Sequence, residues 1–342
     1  MARYAYFFGG QVWLIKSPDT GGTFNPQSMA DTVLQCSTKH GILIDHACDG
    51  LIVFDFKKYR PLASEEAQQD IERRSGSVSN MDFQASSSFI LRRTEIMNAH
   101  SICLKAAIRE RQKFGIPATW VSPHGVVHMS DANDSLQSVS FKSQWDSYQY
   151  SARYGSQYGA SLPPQFDPRV GLRSLVVVEE SLRDAVDRLE SCVEKVNDGA
   201  LKLCSLINLA VNSLEDHDYP RCLVTCWVVI EAFLNKKWQD YLRQCTSRDV
   251  SGGRTFINKD RFKKLTSNDY TASIITENLS LVGKLSFEEY SLVEEVRRTR
   301  NKWMHELADV PIDKASIALR AAAELFKSEF SVELPSGTSL RL

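Results

Sequence analysis

Leu223-Val224-Thr225-Cys226-Trp227-Val228-Val229-Ile230-Glu231-Ala232-Phe233-Leu234 is the longest apolar run of the chain, and Glu231 is its only charge. It falls well short of the roughly 20 apolar residues that cross a bilayer. Apolar on nearly every face, it reads as the central helix of a bundle. Cys222 and Cys226, four apart, read as buried packing within it. Upstream, Leu175, Val178, Leu182, Val186, Leu189, Val193 and Val196 form a long apolar stripe at helical spacing, which Ala200 to Val211 continues after Gly199. Downstream, residues 247–270 are polar and read as a loop. Leu285 to Glu306 is a third long helix. Pro311 interrupts, and Ile312 to Phe330 forms the last helix, with Ile317, Ala321, Leu325 and Phe326 as its inner face. No segment of 171–342 reads as a strand, so this half is expected to be an all-α helical bundle.

The other half has mixed periodicity. Tyr4 to Phe8 and Gln11 to Ile15 flank Gly9-Gly10, a two-residue hairpin signal. Leu51 to Phe56 is a third strand, rich in β-branched and aromatic residues. Phe89 to Lys113 lacks Gly and Pro and reads as one long helix, and Thr119–Val121 with Val126–Met129 reads as a second hairpin around Pro123-His124-Gly125. Residues 136–170 turn to Ser, Tyr, Gln and Gly and end in Leu162-Pro163-Pro164-Gln165, as a linker or extended arm does. Tyr148, Tyr150, Tyr154 and Tyr158 there read as surface packing rather than a base-stacking set. The expected fold is therefore an α+β N-terminal domain (1–135), a linker or arm (136–170) and a helical bundle (171–342).

Composition narrows the function. The 342 residues are 43% hydrophobic and 24% charged, with a net charge of −1. This excludes a disordered chain, a collagen, a disulfide miniprotein and a broadly basic nucleic-acid coat. No GxGxxG or GxxxxGK[ST] points to a nucleotide cofactor, and no cofactor is expected. The N-terminus lacks the pattern of a signal peptide and none of the eight cysteines forms a CxxC pair, so reduced thiols and a cytoplasmic location are expected. Cys36, His40, His46 and Cys48 are zinc-type ligands, but their spacings match no common zinc frame, and no metal is expected. One local basic segment stands out. Arg254, Lys259, Arg261, Lys263 and Lys264 follow Gly252-Gly253 with one acid, Asp260, among them. It reads either as a mobile loop that holds an RNA backbone or as a solvated loop.

Chemistry concentrates in Arg297-Arg298-Thr299-Arg300-Asn301-Lys302-Trp303-Met304-His305. A bare Arg followed by His four to six residues later is expected about 1.4 times by chance in this composition. Arg93 and His100 form a looser pair of that kind and are background. Asn directly after Arg lowers the expectation for RNxxxH to about 0.02. Histidine moves protons near neutral pH. Arginine offers a fixed bidentate charge to phosphate. Asn301 and His305, four apart, share a helix face.

On these residues the C-terminal half resembles the HEPN superfamily, and most of all its ApeA-like group. The motif, the helix carrying Ile230-Glu231-Ala232, and the break followed by an Ala-rich last helix carry the likeness. The N-terminal half resembles no family. The resemblance implies a HEPN-like bundle and a metal-independent endoribonuclease of the kind that serves as a toxin or antiviral effector. RNA would be cut by attack of a 2′-hydroxyl on the adjacent phosphate, with Arg300, Asn301 and His305 as catalytic residues. On a helix Arg300 and His305 stand about 140° apart, while Arg298, Asn301 and His305 make a better single stripe. The likeness resolves this with a homodimer whose two motifs face one cleft. Glu231 is then expected to fix Arg300 or Arg298. Residues 1–135 would sense a trigger or bind an antitoxin. The competing expectation is a non-catalytic HEPN dimer that binds RNA or a protein.

Overall fold

The computed structural model describes residues 3–8, 12–15, 32–59, 80–116, 119–122, 127–129, 136–138, 175–247, 249–250, 254–255, 257–267 and 269–336. The chain divides into two compact units, residues 1–208 with 339–342 and residues 209–338. The division falls well inside the all-helical half expected from the sequence, within its second helix.

The first unit is built on strands β1 (Arg3–Phe7), β2 (Val12–Ile15), β3 (Thr32–Ser37), β4 (Leu43–Ala47) and β5 (Leu51–Asp55), then helix α1 (Asn80–Gln112), strands β6 (Val127–Met129), β7 (Leu136–Ser138) and β8 (Leu175–Val178), and helix α2 (Glu179–Glu194). Six strands form one antiparallel sheet in the order β3-β4-β5-β1-β6-β7. β2 and β8 pair in parallel as a separate ribbon, Leu14 opposite Val177. Helix α3 (Ala200–Glu215) starts in this unit and runs into the next.

Three sequence expectations are corrected here. The Gly9-Gly10 segment does not join a hairpin: β1 gives both its edges to β5 and β6, and β2 pairs with β8. Leu175–Val178 is a strand, not the start of a helix. Its run of three valines suits an extended backbone, and the helix begins at Glu179-Glu180, whose charges favour a helix N-terminus. The second hairpin also fails. Asn98 of α1 donates to Val121 O (2.8 Å) and accepts from Val121 N (2.7 Å). Ser101 and Asn208 both donate to Thr119 O. With those backbone groups occupied by side chains, 119–122 runs along α1, and β6 pairs with β7 instead. Leu136–Ser138 is thus a strand inside the expected linker, and residues 139–170, with the four tyrosines, lie outside the described residues.

The face of the sheet carrying Tyr4, Tyr6, Phe54, Phe56 and His46 packs on α1. A chain of bonds crosses it. His46 Nδ1 reaches Leu34 O (3.3 Å), His46 Nε2 meets His100 Nε2 (3.2 Å), and His100 Nδ1 meets Tyr6 Oη (3.0 Å). One tautomer set satisfies every link: Tyr6 donates to His100, His100 to His46, and His46 to the carbonyl. The imidazoles are thus accommodated as neutral rings. Burial lowers the pKa of His46 to about 4 and that of His100 well below its ordinary value.

The second unit contains α4 (Tyr219–Ser247), the two-residue strands β9 (Asp249–Val250) and β10 (Arg254–Thr255), and helices α5 (Lys259–Leu265), α6 (Ala272–Leu281), α7 (Phe287–Glu306) and α8 (Ile312–Phe330). α4 is its core, with Cys222, Leu223, Cys226, Trp227, Val229, Ile230, Phe233 and Leu234 buried, although Val228 is 48% exposed. Phe233 meets Phe326 and Phe330 of α8 at ring-centroid distances of 6.2 and 5.7 Å. Ala315, Ala318 and Ala322 are buried on the same helix. Ile317, expected on its inner face, is only half-buried. The architecture is an antiparallel-sheet α+β region followed by a helical region.

Two outcomes follow from this packing. Lowering the pH from 7 toward 4 should reduce stability progressively. Unfolded imidazoles take up protons near 6.5 while folded His46 resists until about 4, so the unfolded state binds more protons across that window. Urea midpoints at several pH values should show this slope, and His46→Gln should flatten it. At Gly41, φ is +90° and an added Cβ would meet Lys58 O at 2.5 Å. Gly41→Ala should therefore cost more than about 1 kcal/mol in the same assay.

Candidate functional site

α7 begins at a capping box. Ser286 Oγ accepts from Glu289 N, and the Glu289 carboxylate accepts from Ser286 N. The helix then runs unbroken to Glu306 and ends where Leu307 turns left-handed at φ 50°. The whole Arg297–His305 motif therefore lies on its last three turns, and helical rotation of about 100° per residue fixes which side chains can meet.

One face of α7 lines an open groove of about 640 Å³ with the 308–314 segment. Tyr290, Glu294, Arg298 and Lys302 contribute from α7, and Lys314 from α8. Glu294 is the buried anchor of this face. Its carboxylate takes both Nε and Nη2 of Arg297 at 2.8 Å, and Arg298 Nε stands 3.7 Å away. The bidentate bond from Arg297 holds the Glu294 carboxyl below its ordinary pKa and raises that of Arg297. Lys314 donates to Glu295 at 2.8 Å, tying the start of α8 to α7. Tyr290 donates to Glu277 of α6 at 2.7 Å, and that bond to a carboxylate raises the Tyr290 pKa.

His305 is exposed, and the Arg298 side chain is 75% exposed. Both fall on the stripe that continues the groove-lining face toward the helix C-terminus. Asn301 sits at its edge, half-buried, and accepts from Arg300 Nη1 at 3.2 Å. Arg300 projects from another face, about 140° round from His305. Within one chain the helix thus brings together Arg298, Asn301, Lys302 and His305, and holds Arg300 apart from His305.

The remaining sequence candidates are placed as follows. Glu231 is half-buried on α4, and no hydrogen bond or ion pair joins it to Arg298 or Arg300 among the described residues. The carboxylate that meets Arg298 is Glu294. The expected basic loop is partly a helix. Asn258 caps α5 by accepting from Arg261 N (2.8 Å), and Trp238 of α4 donates to Leu265 O (2.8 Å) while stacking on Tyr241 and Tyr270. Lys259, Arg261, Lys263 and Lys264 are exposed on that helix, where Lys259 and Lys263 share one face and Arg261 and Lys264 another. Arg254 lies on β10, and its side chain is outside the described residues.

Cys36, His40, His46 and Cys48 do not converge. His46 has both ring nitrogens in the buried chain above, and His40 Nε2 meets Glu190 at 3.4 Å. Arg93 and His100, the background pair, are buried against the sheet, with Arg93 stacked 3.9 Å over the Tyr4 ring. Sequence reasoning passed over Glu294. Its spacings of three and four from Arg297 and Arg298 are the signal that marks it. Lys314 was not separable by sequence, because its partner lies on another helix.

No protein-family model matches the chain, and neither a curated protein nor a solved structure is found similar to it.

Glu294→Ala should destabilise the chain by roughly 1–3 kcal/mol, since it strips a half-buried guanidinium of its bidentate partner. Chemical denaturation measures this, and a change below a few tenths of a kcal/mol would show the pair to be incidental.

Proposed function

We propose that the chain is an endoribonuclease of the HEPN type that cuts RNA without a metal and works as a dimer. The observation that carries the reading is the shared exposure of Arg298 and His305 on one stripe of α7, continuous with a groove that also holds Lys302. A phosphodiester lying along this stripe meets a fixed guanidinium and a proton-transferring imidazole at once. A 2′-hydroxyl loses its proton to solvent water as it attacks the adjacent phosphorus, and the P–O5′ bond breaks. The products are a cyclic phosphate and a 5′-hydroxyl. His305 supplies the proton to the leaving O5′. The guanidinium offsets charge on the non-bridging oxygens.

Arg300 leaves its helix on another face and bonds Asn301, so it acts across a dimer or as the residue that orients Asn301. Exposed apolar side chains beside the motif, Met304 at 47% and Leu307 at 81%, favour contact with a second copy. Toxin or antiviral action, and a trigger or antitoxin acting on the N-terminal region, belong to this proposal as its biological setting.

A second reading rests on the acids. Glu294 beside Arg298 and Glu295 on Lys314 leave the groove close to neutral, which suits a non-catalytic module that binds RNA or a protein. Cleavage of a labelled RNA by the purified chain decides between them. Wild type should yield cyclic-phosphate ends, and His305→Ala should lose about 100-fold or more in rate. Equal rates in both would end the nuclease reading. Salt-dependent RNA binding without cleavage would favour the second.

A further inference from the structure

Cys103 of α1, Cys192 of α2 and Cys204 of α3 meet inside the first unit. Their sulfurs lie within 4.8 Å of one another, and all three residues are fully buried. Buried cysteines are ordinary small-residue packing, as for Cys222, whose thiol lies 3.8 Å from Ala315 O and bonds Cys226 one turn along the same helix. Packing of small side chains gives no reason for thiols from three separate helices to face a common point.

The sulfurs also act on one another. Cys103 and Cys204 both hydrogen-bond Cys192 and pull its pKa down to about 5, with Lys195 adding to the effect. The bond to Cys192 pushes Cys103 up, and burial pushes Cys204 up. The thiolate is the form that ligates metals, and three thiols facing one point can supply it.

We propose that Cys103, Cys192 and Cys204 form a three-coordinate site for one soft monovalent metal ion of the Cu(I) type. An ion about 2.3 Å from each of three sulfurs holds them about 4.0 Å apart in a plane. The observed spread closes to that with side-chain shifts of less than an ångström. No His, Asp or Glu joins this cluster among the described residues. Structural Zn(II) sites complete a tetrahedron of four ligands. Three sulfurs with no fourth donor suit instead a soft ion that is content with three.

The charges of Arg188 and Lys195 act on the sulfurs and offset the negative charge that thiolates bring into the interior. Binding exchanges no electrons. Each thiol that becomes a thiolate ligand releases its proton to solvent as the metal–sulfur bond forms.

The full chain, reduced and stripped with a chelator, is titrated anaerobically with Cu(I) against a competing Cu(I) chelator, with Zn(II) as a parallel arm. The expected result is one Cu(I) per chain. X-ray absorption should show a shell of three sulfurs at about 2.3 Å, and the thermal midpoint of the wild type should rise. Cys103→Ala, Cys192→Ala and Cys204→Ala should each weaken binding about tenfold or more, while Cys222→Ala should not. The wild-type absorption shell tests the site even where a variant fails to fold. Loss of all Cu(I) to the competitor overturns the proposal, as do nitrogen or oxygen donors in the shell, tighter four-coordinate Zn(II) binding, or unchanged affinity in the variants that fold.

Discussion

A buried helix lined with polar side chains has a stable place only where each finds a partner, and α1 carries Asn98, His100, Ser101 and Lys105 in full burial. The structure of the first unit follows from meeting that demand. Asn98 grips both backbone groups of Val121 as a strand neighbour would. Lys105 donates to Ile116 O, Ser101 to Thr119 O, and His100 joins Tyr6 to His46. Asn208 of α3 donates both to Asn98 and to Thr119 O, so that helix is held by the same network. Each partner fixes a neighbour: the sheet face through Tyr6 and His46, Ile116 and residues 119–121 through their backbone groups, and α3 through the Asn208 amide. Unpartnered, each buried group would cost about 1–3 kcal/mol, so the arrangement is set more firmly than apolar packing alone would set it.

The second unit rests on different physics. Its centre is the aromatic contact of Phe233 with Phe326 and Phe330, and small alanines are buried beside Leu319 and Leu325 on α8. Polar bonds there secure the edges, with Lys236 on Glu329 and Lys314 on Glu295. This leaves α7 with its outer face exposed and its motif in the last turns. Regular helical rotation then does the sorting: it groups Arg298, Asn301 and His305 and turns Arg300 away. Within one copy a phosphate on this stripe would meet Arg298, while Arg300 bonds Asn301.

Two fully buried clusters of ionisable groups among the described residues of the first unit contrast in the same way. The imidazole chain ends on a carbonyl at one side and a phenol at the other, so its hydrogen-bonding capacity is filled by the protein. The three thiols bond chiefly to one another, with one long contact from Cys204 to Ala99 O, and each keeps ligand capacity. Burial acts on both, and it makes the charged imidazole unfavourable.

Local pattern determined much of this protein. The periodicity of 89–113, 285–306 and 312–330 marked helices, and the β-branched run at 51–56 marked a strand, because each signal is carried by neighbours along the chain. The RNxxxH spacing placed Asn301 and His305 on one face for the same reason. Strand partners were beyond local reading: Gly9-Gly10 suggested a hairpin, yet β1 found better partners in β5 and β6, and the valines of 175–178 joined β2 from 160 residues away. Glu294 in place of Glu231, the capped helix over the basic segment, and the meeting of Cys103, Cys192 and Cys204 were likewise decided only by tertiary structure. A side chain's partner across space depends on how whole elements pack and on which buried polar groups must be satisfied, and no short window of sequence contains that information.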